Sequence, residues 1–152
     1  ADSWAVADAG GNLRIYNQKW ESIRHVKLPF KSGIGSIALS PDQKQIAVSA
    51  IAEPMIEVLS IDTLSTSKKL NFNKIDNGDL SSLAWTNDGS LYASGSFDFK
   101  GKTPLIKWYG RNLEKRQLAS LSNSRTNQLK ALKNSDILLK KLVLYYKNVI
   151  FL

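Results

Sequence analysis

Ser36-Ile37-Ala38-Leu39-Ser40-Pro41-Asp42-Gln43 aligns without gaps on Ser82-Leu83-Ala84-Trp85-Thr86-Asn87-Asp88-Gly89, an offset of 46, and the match continues through Ile46-Ala47 onto Tyr92-Ala93. Each copy reads strand, turn, strand. Successive side chains of a strand point to opposite faces, so Ile37 with Leu39, and Leu83 with Trp85, place apolar groups on one face. The turn follows directly. Pro41 fixes φ at the first central position, Asp42 and Asp88 can bond nearby backbone, and Gly89 tolerates positive φ. Such signals between two strand-like runs predict a hairpin.

Working outward, a third strand is predicted at Met55-Ile56-Glu57-Val58-Leu59-Ser60-Ile61 in one unit and at Pro104-Leu105-Ile106-Lys107-Trp108-Tyr109 in the other. A fourth falls near Ser67 to Phe72 and at Lys115 to Leu121. The N-terminal stretch reads as the back of a preceding unit. Trp4-Ala5-Val6-Ala7-Asp8 is a strand, Gly10-Gly11-Asn12 a tight turn, Leu13-Arg14-Ile15-Tyr16 the next strand, and His25 to Leu28 the last. Another unit opens at Gln128-Leu129-Lys130-Ala131-Leu132, turns at Lys133-Asn134-Ser135-Asp136 and continues from Ile137. Four-stranded units of roughly forty to fifty residues are the mark of a propeller, in which small antiparallel sheets pack face to face around a channel. A β-sandwich would not repeat itself, and a solenoid uses shorter units. The expected fold is all-β, a partial β-propeller of about three four-stranded antiparallel blades. It spans 1–138, as a blade remnant at 1–32, blades at 33–78 and 79–126, and the start of a further blade at 127–138. An atypical tail occupies 139–152.

At these residues the chain resembles a WD-repeat (WD40-like) β-propeller. Ile37-Ala38-Leu39-Ser40-Pro41-Asp42 and Leu83-Ala84-Trp85-Thr86-Asn87-Asp88-Gly89 are similar to the family's first strand and turn. Leu91-Tyr92-Ala93-Ser94-Gly95-Ser96-Phe97-Asp98 resembles its second strand, ending in the aspartate that the family uses to brace the turn. Ile106-Lys107-Trp108-Tyr109 and Leu13-Arg14-Ile15-Tyr16-Asn17 resemble its third, with tyrosine where the family usually has tryptophan. The glycine-histidine pair and the closing Trp-Asp are missing, so the resemblance implies degenerate blades. Ile37 to Asp42 together with Val58-Leu59-Ser60-Ile61-Asp62-Thr63 is also similar to YVTN-type and lactonase-like bacterial propellers.

Charge narrows the partners. Of the net +8, five charges come from Arg125 to Leu152, where six basic residues meet one acid, leaving three for everything before. A body so nearly balanced has little with which to displace the counterions of a phosphate backbone, which argues against nucleic acid. The chain holds no cysteine, so disulfides and thiolate metal sites are excluded. Ala1-Asp2-Ser3-Trp4 carries neither a basic region nor an apolar core of a signal peptide, making the cytoplasm the default location.

Candidates for chemistry have structural readings. His25, the one histidine, stands beside Arg24 on a strand without the partners that a catalytic pair or metal cluster needs. Asp8, Asp42, Asp88 and Asp98 fall at turns, where short side chains accept local backbone hydrogen bonds. Ala9-Gly10-Gly11-Asn12 precedes a strand rather than a helix, so it is a hairpin turn and not a phosphate cradle. Trp4, Trp20, Trp85 and Trp108 recur at strand positions and are expected between sheets. No catalytic, cofactor or metal residue is assigned.

Three blades are too few to close a ring, which usually takes about four to eight. The two end faces would expose apolar surface of the kind that drives association. Either the chain is a fragment of a longer propeller, or it is a half-ring that closes by self-association. The run from Ile137 to Leu152 is interrupted by Lys140, Lys141 and Lys147 and falls short of the roughly twenty apolar residues of a membrane-crossing helix. It reads as a strand or helix covering an open blade face, or as a tail altered by truncation. The function implied by the resemblance is a non-catalytic scaffold that binds a protein or peptide. The alternative is a lactonase- or YVTN-like propeller with a hydrolase or ligand-binding role, which requires carboxylates, usually with histidine, converging at one end of the strands.

Overall fold

The computed structural model describes residues 3–73, 75, 79–95, 102–122 and 149–151, and these form three four-stranded antiparallel sheets. The first contains β1 (Trp4–Ala7), β2 (Asn12–Tyr16) and β3 (Ser22–Lys27). The second is β4 (Ile34–Leu39), β5 (Gln45–Ala50), β6 (Ile56–Ser60) and β7 (Thr66–Lys68). The third is β8 (Ser82–Trp85), β9 (Leu91–Ser94), β10 (Lys102–Tyr109) and β11 (Lys115–Ser122). Strand order follows chain order in the second and third sheets, and β12 (Val149–Phe151) joins the first sheet beside β1. We call the sheets blades 1, 2 and 3. This is the all-β, partial β-propeller architecture predicted by the repeat.

Of the tail expected over an open blade face, residues 149–151 pair antiparallel with the edge of β1, with Trp4 opposite Phe151 and Val6 opposite Val149. Blade 1 thereby has four strands, drawn from both ends of the sequence. The further blade expected at 127–138, the remainder of the tail and Asp98 lie outside the described residues.

Two apolar layers hold the blades together. Ala5, Ala7, Leu13 and Ile15 of blade 1 pack with Ile46, Val48, Ala50, Leu59 and Leu64 of blade 2. Ala47, Ile56 and Val58 of blade 2 pack with Leu91, Ala93, Ile106, Trp108 and Leu113 of blade 3. Alternate residues of β5 therefore serve opposite layers, and the middle blade is buried on both sides. Each fully buried aliphatic side chain contributes about 1.5–3 kcal/mol, which makes these layers the main source of stability in a chain without cysteine.

One arrangement recurs in every blade. Trp4 faces Tyr16 across β1 and β2, Ile46 faces Leu59 across β5 and β6, and Leu91 faces Trp108 across β9 and β10. In each blade a bulky residue with left-handed backbone stands two positions before the outer strand: Trp20 (φ 61°), Leu64 (φ 53°) and Leu113 (φ 58°). Leu64 and Leu113 enter the layer shared with the preceding blade.

Trp20, expected at a strand position between sheets, instead sits in the β2–β3 turn and is 60% exposed. The Asn17 carboxamide builds that turn, its Oδ1 accepting the amides of Lys19 (2.9 Å) and Glu21 (3.0 Å). Among the other tryptophans Trp108 is fully buried, while Trp4 and Trp85 are half-buried.

Candidate functional site

The β4–β5 and β8–β9 turns are copies of one another in structure as well as sequence. In the first, the Ser40 hydroxyl (2.6 Å) and the Lys44 amide (3.1 Å) donate to Asp42 Oδ1, and Gln43 N–H donates to the Ser40 carbonyl. In the second, the Thr86 hydroxyl and the Ser90 amide (3.0 Å) donate to Asp88 Oδ1, and Gly89 N–H donates to the Thr86 carbonyl. These donors favour the ionised form. The Ser40 hydroxyl, followed by the Lys44 amide, holds Asp42 below the usual carboxylate range, and the Thr86 hydroxyl, followed by the Ser90 amide, does the same for Asp88. Both aspartates have the turn-bracing role predicted for them.

Between these turns, at the seam of blades 2 and 3, lies a cleft of ≈ 540 Å³. Ser40, Asp42, Lys68, Trp85, Asp88 and Arg111 are among its lining residues. Trp85 forms part of the wall, anchored by its indole N–H, which donates to the Ala38 carbonyl of blade 2 at 3.1 Å. Lys68, at the end of β7, reaches into the β10–β11 turn and donates to the Arg111 carbonyl at 2.7 Å. Glu114 closes that turn by accepting the Asn112 amide at 2.8 Å, and it too is held below its ordinary range, first by its own backbone amide and then by that of Asn112. Arg111 is exposed, and its guanidinium has no ion pair among the described residues.

The chemistry follows from which charges are already satisfied. Asp88 uses both oxygens, the second accepting the Ser90 hydroxyl at 3.1 Å, and Asp42 is bonded within its own turn. Lys68 is held by the Arg111 carbonyl, which leaves the Arg111 guanidinium to face outward. A rigid rim of turn backbone, an indole wall and an open guanidinium suits an extended polar segment bearing carboxylates.

The remaining sequence candidates lie elsewhere. His25 is exposed on blade 1, with Nε2 3.1 Å from Asn12 Oδ1. Asp8 accepts the Asn12 amide (2.9 Å) and carboxamide and pairs with Arg14 at 3.0 Å. Led by the Asn12 amide, these contacts bring its pKa down to about 2. The glycine-rich stretch beside it is a hairpin turn, with Asp8 N–H donating to the Asn12 carbonyl. Among the described residues no three His, Cys, Asp or Glu side chains gather as a metal site would require, and no helix is long and apolar enough to cross a membrane. Lys68 and Arg111 were not singled out in the sequence, because the seam that joins them exists only once two blades are stacked.

Four-stranded meanders stacked face to face, with the first strands β4 and β8 of adjacent blades side by side, define a β-propeller, here a partial one. No protein-family model and no curated protein matches the chain. In structure it is similar to the β-propeller domain of Myceliophteria thermophila Cps50 (Swd1), with a TM-score of 0.54 and 10% sequence identity over 78% of this chain and 35% of that one. The likeness is one of fold, and this chain spans little more than a third of that domain's length.

Proposed function

We propose that the chain is a non-catalytic recognition module of WD-repeat type that grips a protein or peptide partner in the cleft between blades 2 and 3. The observation that carries this reading is the seam itself: two internally satisfied turns bracket the exposed Arg111 and the Trp85 wall. The segment that fits is extended and acidic. A hydrolytic propeller would need convergent carboxylates, whereas Asp8, Asp42 and Asp88 are each committed to a local turn. The proposal takes 33–78 and 79–126 as complete repeat units, 1–32 as a blade remnant and 127–138 as the start of a further blade, and assigns the module to the cytoplasm.

Selection of a random peptide library displayed on phage against the immobilised chain tests it. Enriched sequences should carry Asp or Glu, and their affinity should fall about tenfold for Arg111→Glu, the equivalent of one well-placed charged contact. Enriched peptides that bind wild type and Arg111→Glu equally would remove the cleft from consideration.

A further inference from the structure

The recurring trio of each blade has a constant job wherever a preceding blade exists. Ile46, Leu59 and Leu64 of blade 2 are buried in the layer with blade 1, and Leu91, Trp108 and Leu113 of blade 3 are buried in the layer with blade 2. The paired residues that share each layer from the preceding blade are small or aliphatic: Ala5 opposite Ile15, then Ala47 opposite Val58. Leu64 is 4% exposed and Leu113 2%. Trp4, Tyr16 and Trp20 hold the same positions in blade 1, and there Trp20 is 60% exposed. Its ring stacks on Trp4 at 5.4 Å between centroids, 12° from parallel, with Tyr16 at 6.2 Å. Blade 1 thus carries a plug for a preceding blade.

The matching surface lies at the other end of the stack. The positions held by Ala5 and Ile15, and by Ala47 and Val58, are occupied in blade 3 by Tyr92 and Lys107. These look away from blade 2, because Leu91, Ala93, Ile106 and Trp108 on the same strands take up the opposite face. Lys107 Nζ stands 5.4 Å from the ring centroids of both Tyr92 and Tyr109. Of the three trios, the exposed one alone is wholly aromatic, and of the three pairs, the outward-facing one alone contains a cation. An ammonium over indole and phenol faces is the pairing that this difference favours.

We infer that the aromatic face of blade 1 docks on the Tyr92–Lys107 face of blade 3 in a second copy of this chain, so that the three described blades of each of two copies close head to tail into a ring of six. Six lies within the range of about four to eight in which propellers close. A head-to-tail contact that closes produces a finite assembly rather than a filament. This inference is independent of the cleft: it concerns the outer faces of blades 1 and 3 and not the seam between blades 2 and 3.

Sedimentation equilibrium of the chain should give a dimer. Trp20→Ala and Lys107→Gln, both at positions with solvent access, should each raise the dimer Kd about tenfold or more, as expected for an interface anchor, with the far-UV circular dichroism unchanged. Ile51→Ser, an exposed position in the β5–β6 loop of blade 2, should leave the Kd unchanged. An equimolar mixture of Trp20→Ala and Lys107→Gln should associate more tightly than either alone, because one of its two seams is native and the other, carrying both substitutions, loses their shared contact only once. A wild-type chain that sediments as a folded monomer overturns the inference. A dimer indifferent to both substitutions overturns it as well. So does a mixture no tighter than its components, which would mean that Trp20 and Lys107 do not meet across one seam.

Discussion

The Trp85 indole of blade 3 reaches across the seam and donates a hydrogen bond to the Ala38 carbonyl of blade 2 at 3.1 Å, tying together β8 and β4. In Trp85→Phe the ring stays and the donor goes, removing one hydrogen bond across the seam. The expected cost is about 1 kcal/mol, read as a lower midpoint in urea at unchanged slope.

Ser49 is the reverse case. It is fully buried on β5, and among the described residues its Oγ has no hydrogen-bond partner. An unpaired hydroxyl in an apolar layer is a standing desolvation cost, so Ser49→Ala should raise stability by about 1 kcal/mol. A loss of stability in the same urea titration would show that the hydroxyl is satisfied in solution.

Gln43 and Gly89 occupy the same place in the two copied turns, with φ of 58° and 78°. Left-handed backbone costs a residue with a Cβ roughly 1–2 kcal/mol, while glycine adds entropy to the unfolded chain. The balance predicts a gain of about 0.5 kcal/mol for Gln43→Gly and a loss of similar or larger size for Gly89→Ala, both measurable by thermal unfolding.

Acid should weaken the fold through its turn aspartates. Asp8, Asp42 and Asp88 all have folded pKa values below the ordinary 3.8, so the unfolded chain takes up protons first as pH falls. Their contribution is complete above the ordinary carboxylate value and is lost as pH descends through the folded values, which for Asp8 means toward about 2. Urea midpoints measured from pH 5 down to pH 2 should fall in this window, and Asp8→Asn should flatten part of the decline.

The Ser40–Asp42 and Thr86–Asp88 turns were legible because their chemistry is local: a hydroxyl, a carboxylate and an amide within a few residues are enough to specify them. Their pairing registers were less so. Leu39 pairs with Ile46, but Trp85 pairs with Leu91, one residue earlier in the repeat frame, although the 46-residue alignment has no gap. The Trp20 turn escaped because left-handed backbone is normally announced by glycine or asparagine. Here the Asn17 side chain imposes it on a tryptophan from three positions away. The cleft and the β12 pairing depend on long-range geometry, and neither Lys68, Arg111 nor Val149–Phe151 carries a local signature of its neighbours.

The pairing of β12 with β1 also sets an order in time. Blades 2 and 3 are each built from a continuous stretch of chain and can form as that stretch leaves the ribosome. Blade 1 has its remaining strands early, yet its fourth arrives only when residues 149–151 have been made. Until then the edge of β1 presents unpaired backbone groups to any passing strand. Between synthesis of residue 7 and residue 149 that edge is therefore open to mispairing, and β12 acts as the latch that closes it.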